Sequence, residues 1–346
     1  MVLPLDGSAT PVVVVGGCGV WTYDLGMTAT PDDGEEVLAG GDMTAVVRVG
    51  DTVRRTAGPW TATVHAFMRH LRASGFGLIP EPLGIDERGR EIISLLPGAP
   101  ASYPLPDFAW SDATLTAVAQ ALRRFHDASV GFTAPADGRW QWPAHTPTQV
   151  ICHNDFAPYN LMFQDGRLTG VIDLDLASPG PRVWDMAYTA YRFVPLTDPD
   201  NPNVPFPGAA VQAQRLAAFC AAYADPDIKP SDVLHNGAAN LRELVAFIER
   251  EAAAGDPAQQ AVLARGDVLI YQRDIAHIEQ LAKTDLRQPL GARREHAERS
   301  DHDTDGLTPL GRQALSLRPP LPRPERRFGE LAQTPERLVD RPTHTT

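Results

Sequence analysis

Lysine is nearly missing from this chain of 346 residues: of 31 basic residues only two, Lys229 and Lys283, are lysines. Cysteine is as scarce, with three widely spaced residues, Cys18, Cys152 and Cys220. An odd, scattered set makes neither a disulfide framework nor a zinc site, and it sets the expectation of a reducing, cytoplasmic location. No apolar run approaches the ~20 residues that a bilayer-spanning helix needs. Residues 1–10 hold no Lys or Arg for the charged start of a secretory leader, so none is expected. Positive charge is also in deficit, with a net charge of −12. That argues against nucleic acid as a partner, because phosphate binding needs clustered positive charge. It accords with a cationic small molecule. What remains is ordinary globular composition, 43% hydrophobic and 21% charged, which excludes a fibrous or wholly disordered chain.

The chain reads in four parts. Residues 1–33, rich in Gly, Pro, Thr and Asp around the run Val12 to Val15, read as a loosely ordered N-terminal extension. The glycines after that run do not make a dinucleotide-binding turn, since Thr22 stands where a third glycine belongs and no helix pattern follows. Residues 34–98 read as a small β-rich module. It has strand candidates at 45–49 and 52–55 around Gly50-Asp51, a helix over 63–73, and two further strands at 83–85 and 91–96. On that helix Val64, Phe67, Met68 and Leu71 share one face. Beyond the proline-rich linker at 100–106 the chain, 99–287, turns helical. Ser111 is the expected N-cap of a helix carrying Leu115, Val118, Ala119, Leu122 and Phe125, and further helices are expected at about 209–224, 231–254 and 258–283. Residues 288–346 carry ten Arg against nine acids with few large apolar residues, and read as a disordered tail.

One segment carries chemistry. His153-x-Asp155-x-x-x-x-Asn160 precedes Leu161-Met162-Phe163, then the turn Gln164-Asp165-Gly166-Arg167, then a strand read as 168–175 that ends in Asp173 and Asp175. Phosphoryl transfer from a nucleotide needs these residue types in this order. One carboxylate must accept the proton of the attacking hydroxyl, while an amide and a further carboxylate offer hard oxygens to Mg²⁺. Taken singly, each has an ordinary structural reading: a helix cap for Asp155, a turn acid for Asp173, and for His153 a buried histidine that organises backbone.

The stretch from about Glu36 to about Lys283 resembles the aminoglycoside phosphotransferase-like family of small-molecule kinases. The motifs are His153-x-Asp155-x-x-x-x-Asn160, Gly170 to Asp175, Pro179-Gly180-Pro181, Trp184-Asp185-Met186-Ala187, and upstream Arg90-Glu91-Ile92 to Pro97-Gly98. The resemblance implies an α+β, two-lobed protein-kinase-like fold, with a five-stranded N-lobe, a helical C-lobe and nucleotide in the cleft. Carried over, Asp155 is the base, Asn160 and Asp173 are Mg²⁺ ligands with Asp175 a helper, and His153 and Asp185 are structural. Ser94 to Leu96 form the hinge that meets the base of ATP or GTP, and Gly40-Gly41-Asp42 the phosphate-facing turn.

Two departures stand out. Kinases of this fold place a Lys on the third strand, paired with a Glu on the next helix. Here both lysines lie beyond the catalytic loop, so Arg54 is the first choice for the phosphate contact and Arg55 the second, strand register deciding between them. The helix 62–73 contains no acid, and Val64 or His65 stands where the Glu is expected. The functional expectation is an ATP- or GTP-dependent phosphotransferase acting on a hydroxyl of a small molecule, such as an aminoglycoside or amino alcohol. A catalytically degenerate nucleotide-binding module is the alternative that the missing Lys and Glu favour.

Overall fold

The computed structural model describes residues 34–38 and 46–284, together with the backbone of 12–16, 19–23 and 285. The chain divides into a compact unit, Met1–Leu290, and a second, Gly291–Thr346. The tail read as disordered lies outside the described residues, as do the Gly40-Gly41-Asp42 turn and most of the N-terminal extension. The run at Val12 forms a strand, β1 (Val12–Gly16), paired antiparallel with β2 (Gly19–Tyr23).

The N-lobe is built on β3 (Glu36–Leu38), β4 (Val46–Val49), β5 (Thr52–Thr56), β6 (Pro82–Ile85) and β7 (Arg90–Ser94). They form one antiparallel five-stranded sheet in the order β3-β4-β5-β7-β6. Helix α1 (Thr61–Ala73) leaves this sheet and buries Val64, Phe67, Met68 and Leu71, the expected apolar stripe. A short β8 (Ala99–Pro100) then leads to α2 (Asp112–Ser129). Ser111 caps α2: its hydroxyl accepts from the Thr114 amide at 3.1 Å, a bond worth about 1 kcal/mol. All five expected core residues of α2 are buried. Phe125 of α2 meets Phe67 of α1 edge-on at 5.8 Å, so one aromatic cluster joins the two lobes.

β9 (Val150–Cys152) pairs with β12 (Ser178–Gly180), and β10 (Leu161–Gln164) pairs with both β8 and β11 (Arg167–Val171). The Asp165-Gly166 hairpin has φ of 51° and 72°, the positive values that such a two-residue turn requires. Gly98 is required for a different reason: a Cβ there would lie 2.4 Å from the Phe163 carbonyl oxygen. The helical layer is α3 (Arg182–Phe193), α4 (Ala209–Tyr223), α5 (Pro230–Ala253), α6 (Pro257–Arg265) and α7 (Asp267–Asp285).

Three sequence expectations are corrected. The helix read as 258–283 is two, because Gly266 takes a left-handed φ of 81° and closes α6. The strand read as 168–175 stops at Val171, so Asp173 and Asp175 lie on the loop beyond it. Helix α3 has no counterpart among the expected helices; Trp184 through Phe193 are all buried, the polar Asp185, Thr189 and Arg192 included. Among the described residues no helix is long and apolar enough to cross a membrane.

Candidate functional site

The loop after β9 is fixed from beneath by one carboxylate. Asp185, fully buried on α3, accepts from the amides of His153 at 2.6 Å and Asn154 at 2.9 Å, and lies 3.0 Å from Nε2 of His126 on α2. His126 Nδ1 lies 2.7 Å from the Tyr223 hydroxyl. A buried charge is tolerable where its lone pairs are met this fully. His153 uses both ring nitrogens on backbone groups, one within its own loop and one just past β11. Nε2 donates to the Ile172 carbonyl at 3.0 Å and Nδ1 accepts from the Asp155 amide at 3.3 Å, the arrangement of a neutral ring. Burial lowers its pKa, which agrees. Asn154 turns the chain at φ 64°, a left-handed conformation that costs most side chains about 1–2 kcal/mol and that Asn tolerates. Its amide nitrogen holds that turn through the Leu176 carbonyl and the Ser178 hydroxyl, at 2.7 and 2.9 Å.

These restraints present Asp155. One of its oxygens accepts from the Tyr159 hydroxyl at 2.6 Å, the other from the Asn160 amide nitrogen at 2.9 Å. Burial pushes the Asp155 carboxyl up to about 7, against the opposing pull of Tyr159 and Arg192. Tyr159 is the end of a chain that the sequence did not disclose. Its hydroxyl lies 3.0 Å from that of Tyr188, which accepts from Arg192 Nη2 at 2.7 Å. The Arg192 guanidinium sits over the rings of Tyr159, Tyr188 and Tyr191 at 5.7, 5.0 and 4.9 Å. Arg192 and Tyr188 are four apart on α3, which is why no linear motif reveals them as partners of Asp155.

The β10–β11 ladder brings in the remaining acids. Leu161 pairs with Val171, and the Ile172 amide donates to the Asn160 carbonyl at 2.9 Å, so Asp173 emerges next to the His153–Asn160 loop. Asp173 itself turns the chain at φ 61°. Facing it across the cleft is Arg55. Its Nη1 binds Asp173 and its Nη2 binds Asp175, each at 2.7 Å, while its Nε donates to Glu91. The Arg55 guanidinium holds Asp173 below the ordinary carboxylate value. Asp175 stays up, at about 6, because burial outweighs the same attraction.

The order of preference between the two arginines is therefore reversed. Alternation along β5 sends Arg54 to the other face of the sheet, where it donates to Thr52 and lies 3.9 Å from Asp86. Arg55 faces the acids. In place of a Lys–Glu pair, Arg55 on β5 meets Glu91 on β7. Glu91 stands directly opposite Arg55 in the β5–β7 register, 2% exposed, and its second oxygen lies 2.8 Å from Nε2 of His65 on α1. At the hinge, the amides of Ser94 and Leu95 donate to the carbonyls of Glu81 and Asp51, at 2.9 Å each. Leu96 packs over Gly170, where a Cβ would lie 2.4 Å from its side chain. One other cluster, His126, Cys152 and Asp185, is close enough to suggest a metal. Its Asp185 is already engaged by two amides, and burial keeps the Cys152 thiol well above its usual pKa, so it serves packing.

Residues 136–227 match the model of the phosphotransferase enzyme family. The trifolitoxin immunity protein of Rhizobium leguminosarum bv. trifolii is 36% identical over 172 residues, which cover 48% of this chain and 64% of that protein. The chain thus aligns with less than two thirds of that relative's length. Among solved structures, an amicoumacin kinase in complex with AMP-PNP, Ca²⁺ and its antibiotic superposes with a TM-score of 0.52 at 11% identity, covering 70% of this chain and 89% of that one. A Ralstonia eutropha JMP134 protein described as an aminoglycoside phosphotransferase gives 0.51 at 14%, covering 71% and 92%. The resemblance drawn from the sequence is borne out, and the fold is the α+β, two-lobed fold of protein-kinase-like small-molecule kinases.

Proposed function

We propose that the protein is a phosphotransferase that moves the γ-phosphate of ATP or GTP to a hydroxyl of a small molecule. The observation that supports it most is the convergence of Asp155, Asn160, Asp173, Asp175 and Arg55 on one cleft from three separate segments. The donor set fits a hard divalent cation: Asn160 commits its amide nitrogen to Asp155 and keeps its oxygen for a ligand, and Asp173 and Asp175 add carboxylates. Bound there, Mg²⁺ would supply charge neutralisation on the transferring phosphate. Asp155 takes the acceptor's proton, and a base whose pKa sits near 7 is matched to that task at neutral pH. Arg55 meets the nucleotide phosphates, with Glu91 and His65 holding its Nε end. Residues 34–98 form the nucleotide lobe, with the base at Ser94 to Leu96, and residues 99–287 the catalytic and acceptor lobe.

The acceptor we infer is an antibiotic- or toxin-like molecule with a free hydroxyl. The immunity protein and the amicoumacin kinase among the similar proteins point there, and the acidity of the chain favours an amine-bearing one. The test is ADP release from Mg·ATP and Mg·GTP across aminoglycosides, peptide antibiotics and amino alcohols, with Asp155→Asn alongside. Acceptor-stimulated release that the variant loses supports the reading. Nucleotide binding with no release under any condition would favour the alternative, a degenerate nucleotide-binding module.

A further inference from the structure

Each of the three nitrogens of the Arg55 guanidinium is placed on a different carboxylate: Nε on Glu91, Nη1 on Asp173 and Nη2 on Asp175. Two of those three acids are the ones the proposed function gives to a divalent cation. The two claims compete: one oxygen of each acid is taken by Arg55, and a divalent cation on the other would lie beside the guanidinium charge. A cation such as Mg²⁺ binds carboxylate oxygens at about 2.0–2.1 Å, and the oxygens facing Arg55 are engaged by N–H donors of a group that never deprotonates. The competing charge is also held firmly. The Arg55 side chain is 15% exposed, and each of its guanidinium nitrogens has a carboxylate partner.

The three partners are not equivalent. Glu91 is 2% exposed, sits in the sheet opposite Arg55 and is tied to α1 through His65 at 2.8 Å. Asp173 and Asp175 are 46% and 24% exposed and belong to a loop past the end of β11. The Nε–Glu91 contact is thus a fixed pivot, while the two Nη contacts are the ones that can open. A phosphate presents a forked pair of oxygens that a guanidinium binds through two parallel N–H bonds.

We propose that Arg55 is the resident counter-cation of Asp173 and Asp175, so that guanidinium and divalent metal are alternative occupants of these acids. Nucleotide phosphate draws the guanidinium off them, turning it about Glu91, and the metal enters with the nucleotide rather than ahead of it. The inference rests on the phosphotransferase reading above. A lysine in this place would offer all its donors from one compact nitrogen, so the spread fork that reaches from Glu91 to both aspartates depends on the Arg.

The experiment is a titration with Mn²⁺ alone, followed by the electron paramagnetic resonance of the free ion, on the full chain without nucleotide. Wild type, Arg55→Met and Arg55→Lys are compared, with circular dichroism to check folding. The expected result is weak binding by wild type, about tenfold or more tighter binding by Arg55→Met, and a smaller gain for Arg55→Lys. Equal affinity in wild type and the variants, including no binding by any of them, would overturn the proposal. Should Arg55→Met fail to fold, Arg55→Lys keeps the charge and decides alone. Calorimetry with AMP-PNP on wild type separates the two claims: absence of nucleotide binding counts against the phosphotransferase reading, while the metal-only comparison still decides the role of Arg55.

Discussion

The two sides of the cleft are built on opposite plans. On the C-lobe side, the loop from His153 to Asn160 holds its residues within eight positions and fixes them through hydrogen bonds to one buried acid, Asp185. On the N-lobe side, Arg55, Glu91 and His65 come from two strands and a helix and meet only once the sheet is formed. The first side matches the resembled family's motif at His153, Asp155 and Asn160. The second has Arg55 and the strand residue Glu91 where that pattern has a Lys and a helix Glu. The difference teaches that a contiguous loop leaves little room for substitution, because each residue also shapes its neighbours' backbone. A cross-strand ion pair can be rebuilt from any two facing positions that put opposite charges together.

The strongest way to sharpen the contrast is Asp155→Ala. Turnover should fall by about 10²–10⁴-fold while nucleotide affinity stays within a factor of about two, which steady-state assays and calorimetry would check. Next is Asp185→Asn. It weakens the support under two amides and His126, so we expect a loss of about 2–4 kcal/mol in urea unfolding, and activity falling with it. Glu91→Gln comes third. It removes the pivot charge while sparing the loop, so nucleotide affinity should weaken about three- to tenfold with kcat changed less. An effect of Glu91→Gln on kcat as large as that of Asp155→Ala would break the proposed division of labour.

The pH profile gives a smaller, graded test. With the Asp155 carboxyl at about 7, kcat/KM should rise with pH through that value and level off above it. Stability runs the other way. The folded carboxyl titrates higher than an unfolded one, so the folded state binds the extra proton between roughly pH 4 and 7 and loses that stabilisation as pH rises through the interval. Asp155→Asn should then raise Tm at pH 8 by a few degrees, about 2–4 °C, and give no gain near pH 4. The smallest expected effect is that of Arg54→Ala, which faces away from the acids and should alter nucleotide affinity by less than about twofold. A larger effect there than for Arg55→Lys would restore the order of the two arginines that the sequence suggested.

Much of this architecture is legible in the order of the amino acids alone. Local patterns carry the apolar faces of α1 and α2, the Ser111 cap, the Asp165-Gly166 turn and the whole catalytic loop, because each rests on spacings of a few residues. What escapes such patterns rests on register or on burial. A shift of one residue along β5 decides between Arg54 and Arg55, and the sequence does not carry that register. Glu91 is visible as part of a motif, yet its pairing with Arg55 spans 36 positions. The Tyr159–Tyr188–Arg192 chain is hidden because Tyr159 on the loop lies 29 positions from Tyr188 on α3. The break at Gly266 hides inside a long helical pattern that continues on both sides of it.

The most direct measurement is the Mg²⁺ dependence of ATP affinity, taken by calorimetry on wild type and Asp173→Ala. The account predicts that Mg²⁺ tightens ATP binding to wild type by about tenfold or more and that the variant loses this gain. ATP binding indifferent to Mg²⁺, or a gain that survives in Asp173→Ala, would contradict it.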